Sequence, residues 1–105
     1  MQALIWKPKG VSEEPEIELG RWRVFETDGG TRHFVGERIP IGTWRVSSST
    51  VQLDLAARVG ITASGRRYIL VGASGADVEV DYVWDIWVSI NGITSARNIT
   101  YQLFA

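Results

Sequence analysis

A chain of 105 residues with formal net charge -1, eleven basic and twelve acidic side chains, and no cysteine has length for one folded domain, residues 1–105. Its composition excludes disulfides, thiolate zinc sites, iron–sulfur clusters and cysteine nucleophiles, and it creates no global field toward nucleic acid or acidic membrane. No apolar run approaches the ~18–20 residues of a membrane span, and the lysines of MQALIWKPKG follow its short apolar run rather than precede it, so the expected setting is the cytoplasm.

In chain order, Gln2 to Trp6 reads as a short strand, and Pro8, Gly10 and Pro15 make residues 7–15 a loop. From Glu16 to Thr27 the pattern is strand-like. Ile17 and Leu19 occupy odd positions while Trp22 and Val24 occupy even ones, and this change of phase predicts a β-bulge at Gly20. Asp28-Gly29-Gly30 is turn chemistry, and His33-Phe34-Val35 forms the returning strand of a hairpin. After Pro40 and Gly42, Thr43 to Ser47 alternates apolar with polar as a half-buried strand does. Residues 48–60 fit a strand, Thr50 to Asp54, with a turn near Ala56–Arg58. They also fit a short helix through Val51, Leu55 and Val59, and the strand is the preferred reading. Gly65 marks a turn or bulge. Arg67 to Val71, apolar on both faces, belongs in the middle of a sheet.

Residues 77–92 satisfy two periods. At helical spacing Val80, Val83, Trp84, Trp87 and Ile90 make one stripe opposite Asp81, Asp85 and Ser89, with Asp77 as N-cap and Gly92 just past the end. At period two Val78, Val80, Tyr82, Trp84, Ile86, Val88 and Ile90 are all apolar, and Asn91-Gly92 would turn into a hairpin. A strand of that length is unusual whereas such a helix is ordinary, so a helix over about 78–91 is expected. A final strand, Asn98 to Phe104, completes the reading. The expected fold is α+β: a mainly antiparallel sheet with one amphipathic helix packed on it, the alternative being all-β with a C-terminal hairpin.

Ser64-Gly65-Arg66-Arg67-Tyr68-Ile69-Leu70-Val71-Gly72, followed by Tyr82-Val83-Trp84-Asp85-Ile86-Trp87, resembles a pattern of short bacterial proteins of unassigned activity. The resemblance implies that the tryptophan segment is helical, and it implies no activity and no site residues.

Chemistry is thinly represented. His33 is the lone histidine, so a triad hydrolase would have one candidate base. Gly72-Ala73-Ser74-Gly75-Ala76 approximates a nucleophile elbow around Ser74 but carries Ala76 where that motif has glycine. It also lacks the lysine of a phosphate-binding P-loop. Asp77, Asp81 and Asp85 recur at steps of four, which suits a solvated helix face better than a metal site. No cofactor is implied, and the chain is not expected to be an enzyme.

What stands out is tryptophan beside a cation: Trp6-Lys7, Arg21-Trp22-Arg23 and Trp44-Arg45. Strand neighbours point to opposite faces, so inward tryptophans would leave Arg21, Arg23 and Arg45 on the other face, joined by Arg66 or Arg67. That arginine-lined face is the expected binding surface of a non-catalytic protein-binding module, such as a subunit, an immunity-like inhibitor or a regulator, with an acidic partner. The alternatives are single-stranded nucleic acid stacked on Trp22, Trp44 or Tyr68, and a small hydrolase using Ser74.

Overall fold

The structure, a computed structural model, describes residues 10–75 and 78–104. The expected strand at Gln2 to Trp6 and the cap at Asp77 lie outside the described residues. Strands β1 (Glu16–Thr27), β2 (Arg32–Arg38), β3 (Trp44–Val46), β4 (Thr50–Asp54), β5 (Val59–Thr62) and β6 (Arg67–Leu70) come first. They are followed by helix α1 (Val78–Asn91), strand β7 (Ala96–Asn98) and the short helix α2 (Thr100–Phe104). The fold is α+β, as composition and patterning indicate, and the stretch at 50–54 is a strand with its turn at 55–58.

β1 organises the sheet. Along one edge it pairs antiparallel with β2; along the other, its first half pairs parallel with β6 and its last three residues pair antiparallel with β7. The change of hydrophobic phase read from the sequence is a register shift between Gly20 and Arg23, with Arg21 in the left-handed region at φ 46°. The extra residue turns Trp22 and Val24 onto the face already occupied by Ile17 and Leu19. β6, between β1 and β5, has the central place its two apolar faces require.

The strand order β3-β2-β1-β6-β5-β4 puts β3 and β4 at opposite ends, five spacings or about 24 Å apart if the sheet were flat. Yet Val46 and Thr50 are separated by four Cα steps, a reach of at most roughly 14 Å. The sheet must therefore curl toward closure, as a partly open barrel. Phe34 of β2 accordingly reaches across the interior to Gly60 of β5: a Cβ built on Gly60 would lie 2.3 Å from the Phe34 ring. Ile17, Leu19, Trp22, Val24, Phe34, Tyr68, Leu70 and Ile99 fill the inside. On the outside of β1, β2 and β3, Phe25, Val35 and Trp44 pack against Val80, Val83 and Trp84 of α1.

Two expectations need correction. The final segment is not one strand from Asn98 to Phe104, because the chain turns into α2 after β7. The Asn98 carboxamide oxygen accepts from the Thr100 amide (3.0 Å) and hydroxyl (2.6 Å), an end-capping arrangement, and Thr100 Oγ1 in turn accepts from the Val24 amide at 2.9 Å. Ile99 and Leu103, one turn apart, then both meet the barrel interior, and Phe104 packs edge-on against Trp22. Ile90, placed in the buried stripe of α1, is 75% exposed, and Val88 packs inward instead.

Since Gly60 admits no side chain beneath Phe34, Gly60→Ala is expected to cost about 1–3 kcal/mol in chemical denaturation. Gly29→Ala, where a Cβ meets nothing closer than 3.7 Å, serves as the control. Equal stability of the two variants would contradict the rolled sheet.

Candidate functional site

The five arginines do not form one solvent-facing surface. Arg21 and Arg23 do lie on a common side of β1, but that side carries α1. The Arg21 guanidinium sits 4.8 Å over the Trp44 ring, donates to Glu37 Oε2 at 3.0 Å and lies 3.6 Å from Glu79 of the helix. Arg23 donates to the Gly75 carbonyl at 2.7 Å and pairs with Asp81. Both act as struts holding the helix to the sheet. Arg67 is the exposed one, 3.3 Å from Glu16.

Arg45 corrects the expectation most sharply. It is 5% exposed and points into the barrel, where its Nε donates to the Tyr68 hydroxyl at 2.9 Å. Trp44, its neighbour, faces outward into the helix interface, because β3 lies where α1 covers the sheet's outside and an apolar ring belongs there. The inward and outward tryptophans are thus Trp22 and Trp44 respectively. Arg66 is also buried, at 4% exposure, and donates to the Glu14 carbonyl at 2.8 Å.

The surfaces wanted by the other readings are also internal. Trp22, Trp44 and Tyr68 are all buried, so no nucleobase can stack on them. Ser74 is half-buried before α1, while His33 has both ring nitrogens engaged, Nδ1 with the Ser47 carbonyl at 2.8 Å and Nε2 with Thr31 Oγ1 at 3.0 Å. Asp81 is committed to Arg23, Asp77 lies outside the described residues, and among the described residues no three acidic or histidine side chains gather as a metal site.

An open groove lies between α1 and β7. It encloses about 540 Å³, with Phe25, Trp84 and Val88 as its apolar floor, Asp81 and Asp85 along the helix, and residues 94–96 as the far wall. Phe25 and Trp84 are stacked at 4.5 Å, so the floor is rigid. A second cavity of about 380 Å³ touches the same wall from the other side through Glu26, Asp28 and Arg97. All three residues of β7 are exposed, and among the described residues β1 is its one strand partner, which leaves its other edge unpaired. The helix beside it carries Glu79, Asp81 and Asp85 and no basic residue, together with exposed Val78 and Tyr82. Glu26 is saturated by Arg97 and Arg32, whose hydrogen bonds hold its carboxyl below the usual range. Asp85 has no arginine on it among the described residues, which leaves the rim acidic.

Sequence reasoning missed the groove. Asp85 read as an ordinary solvated carboxylate, Phe25 was not singled out, and residues 94–96 gave no signal, since their wall exists only once β7 docks on β1. In comparison with known proteins, no family model matches the chain, and neither does any curated protein or solved structure.

His33 supplies a test of the helix interface. Its ring lies 4.6 Å from Trp87 and 6.0 Å from Trp84. Burial lowers its pKa from the ordinary 6.5, outweighing the Ser47 carbonyl, which raises it. The unfolded chain therefore takes up a proton below 6.5 that the folded chain refuses. Stability is complete above that value and is lost as pH falls through it toward the depressed folded pKa. The urea midpoint is expected to drop between about pH 7.5 and about pH 5.5, and to drop less in His33→Asn. Identical pH dependence of the two proteins would contradict the buried, neutral imidazole.

Proposed function

We propose that the chain is a non-catalytic protein-binding module that takes an extended, basic segment of a partner along β7, with side chains entering the α1/β7 groove. The reading is carried by one coincidence: an unpaired strand edge runs beside a rigid aromatic floor with an acidic rim. Strand addition draws affinity from main-chain hydrogen bonds and specificity from pockets flanking the edge. Lysine or arginine stems would lie along Val88 and the edges of Phe25 and Trp84 while their charged ends reach Asp85. The same geometry disfavours the acidic partner that the arginine count suggests, because Arg21, Arg23 and Arg67 each already hold a carboxylate.

Three extended peptides in which valine alternates with lysine, glutamate or serine test this, read by tryptophan fluorescence. The lysine peptide is expected to bind, more weakly as salt rises, and the glutamate peptide not to bind. Asp85→Lys exchanges an exposed side chain, so it should change stability by less than ~0.5 kcal/mol while reducing lysine-peptide affinity at least about tenfold. Equal binding of all three peptides, or an unchanged affinity in Asp85→Lys, would contradict the proposal.

A further inference from the structure

At the end of the barrel away from the groove, arginines gather in a largely buried setting. Arg45 and Arg66 are 5% and 4% exposed, and the side chain of Arg38 is 18% exposed. Desolvation depresses the pKa of Arg45, and Arg66 and Arg38 lie close enough to depress it further. Among the described residues, Glu14 pairs with Arg38 and offers its backbone carbonyl to Arg66. Arg21, Arg23, Arg32, Arg67 and Arg97 each meet a carboxylate, and the exposed Arg58 donates to the Gly72 carbonyl, whereas Arg45 is buried with the neutral Tyr68 hydroxyl and, among the described residues, no carboxylate.

A buried cation without a counter-charge is costly even after relaxation. Hydrogen bonding at this end is also incomplete. Arg38 Nε and Glu14 Oε1 are both buried with no partner among the described residues. A donor left unmade beside two further guanidinium groups is the arrangement that an acceptor carrying several oxygens completes. Solvent reaches the cluster on the side of Arg38 and Glu14, whose side chains keep 18% and 19% exposure.

We infer that the buried end of the barrel around Arg45, with Arg38 beside it, is a binding site for an oxyanion, either a phosphoryl group or a carboxylate, which supplies the counter-charge that Arg45 lacks. Tyr68 holds the Arg45 guanidinium in place by accepting from its Nε, and Glu14 is the resident competitor for Arg38. The site is separate from the groove and does not depend on its role.

The test uses the full chain and compares thermal unfolding in sodium chloride, sodium phosphate and sodium acetate at equal ionic strength and pH. Phosphate is expected to raise Tm by several degrees and to do so saturably, as a ligand specific for the folded state does. An effect of acetate as well would identify the group as a carboxylate of the kind a partner's acidic side chain offers, and an effect of phosphate alone would identify a phosphoryl group. Arg45→Met should lose the response and Arg67→Gln, on the exposed surface, should keep it. Should Arg45→Met fail to fold, Glu14→Gln gives the decision: removal of the competing carboxylate should tighten phosphate or acetate binding several-fold by calorimetry. Equal Tm in all three salts, an undiminished response in Arg45→Met, or unchanged affinity in Glu14→Gln would overturn the inference.

Discussion

The three residues 47–49 impose the constraint from which the rest follows. They connect strands at opposite ends of the sheet order, so the sheet cannot lie flat. Ser47 secures the connection. Its amide donates to the Phe34 carbonyl and its hydroxyl accepts from the Phe34 amide, both at 2.9 Å, while its own carbonyl meets His33. A 1% exposed serine thereby fixes neighbouring residues of β2 that face opposite sides of the sheet, Phe34 toward the barrel and His33 toward the helix. Rolling creates an inside and an outside, and each receives its own apolar cluster. The inner one is closed by α2 and the outer one by α1.

Charge follows the same division. On the outside, most arginines meet carboxylates, and these pairs fasten elements that are distant in sequence: β1 to α1 through Arg23 and Asp81, β7 to β1 through Arg97 and Glu26. Exposed pairs of this kind add little stability individually. Their effect here is to consume the arginines that would otherwise make a basic surface, so that α1 and Asp85 leave the open side of the molecule acidic. On the inside, Arg45 has no such partner among the described residues and rests on the neutral Tyr68 hydroxyl.

What the sequence revealed depended on how local the cause was. The bulge in β1 was legible because one inserted residue shifts every apolar position after it, from Leu19 to Trp22. The helix was legible because length separates the two periods its residues satisfy, and its bounds, 78–91, agree with the expectation. The side taken by Arg45 was not legible. Alternation says that Trp44 and Arg45 part ways, but which faces inward depends on where a helix thirty residues later docks. The groove was hidden for a related reason, since Phe25, Asp85 and residues 94–96 come together only through the pairing of β7 with β1. The end of the chain misled because Ile99, Tyr101 and Leu103 alternate like a strand, while Asn98 and Thr100 supply the capping bonds that start a helix.

The proposed binding edge, the paired arginines and the buried cationic end all presuppose a closed curvature. β2 and β5 stand three strand spacings apart in the order, about 14 Å on a flat sheet. The most direct measurement is therefore the nuclear Overhauser effect between the Phe34 ring protons and the Gly60 Hα protons in the folded protein. The rolled sheet predicts a strong cross-peak, with the Gly60 protons shifted by the ring current of Phe34. Absence of that cross-peak, with the β1–β2 and β5–β6 cross-strand contacts intact, would contradict it.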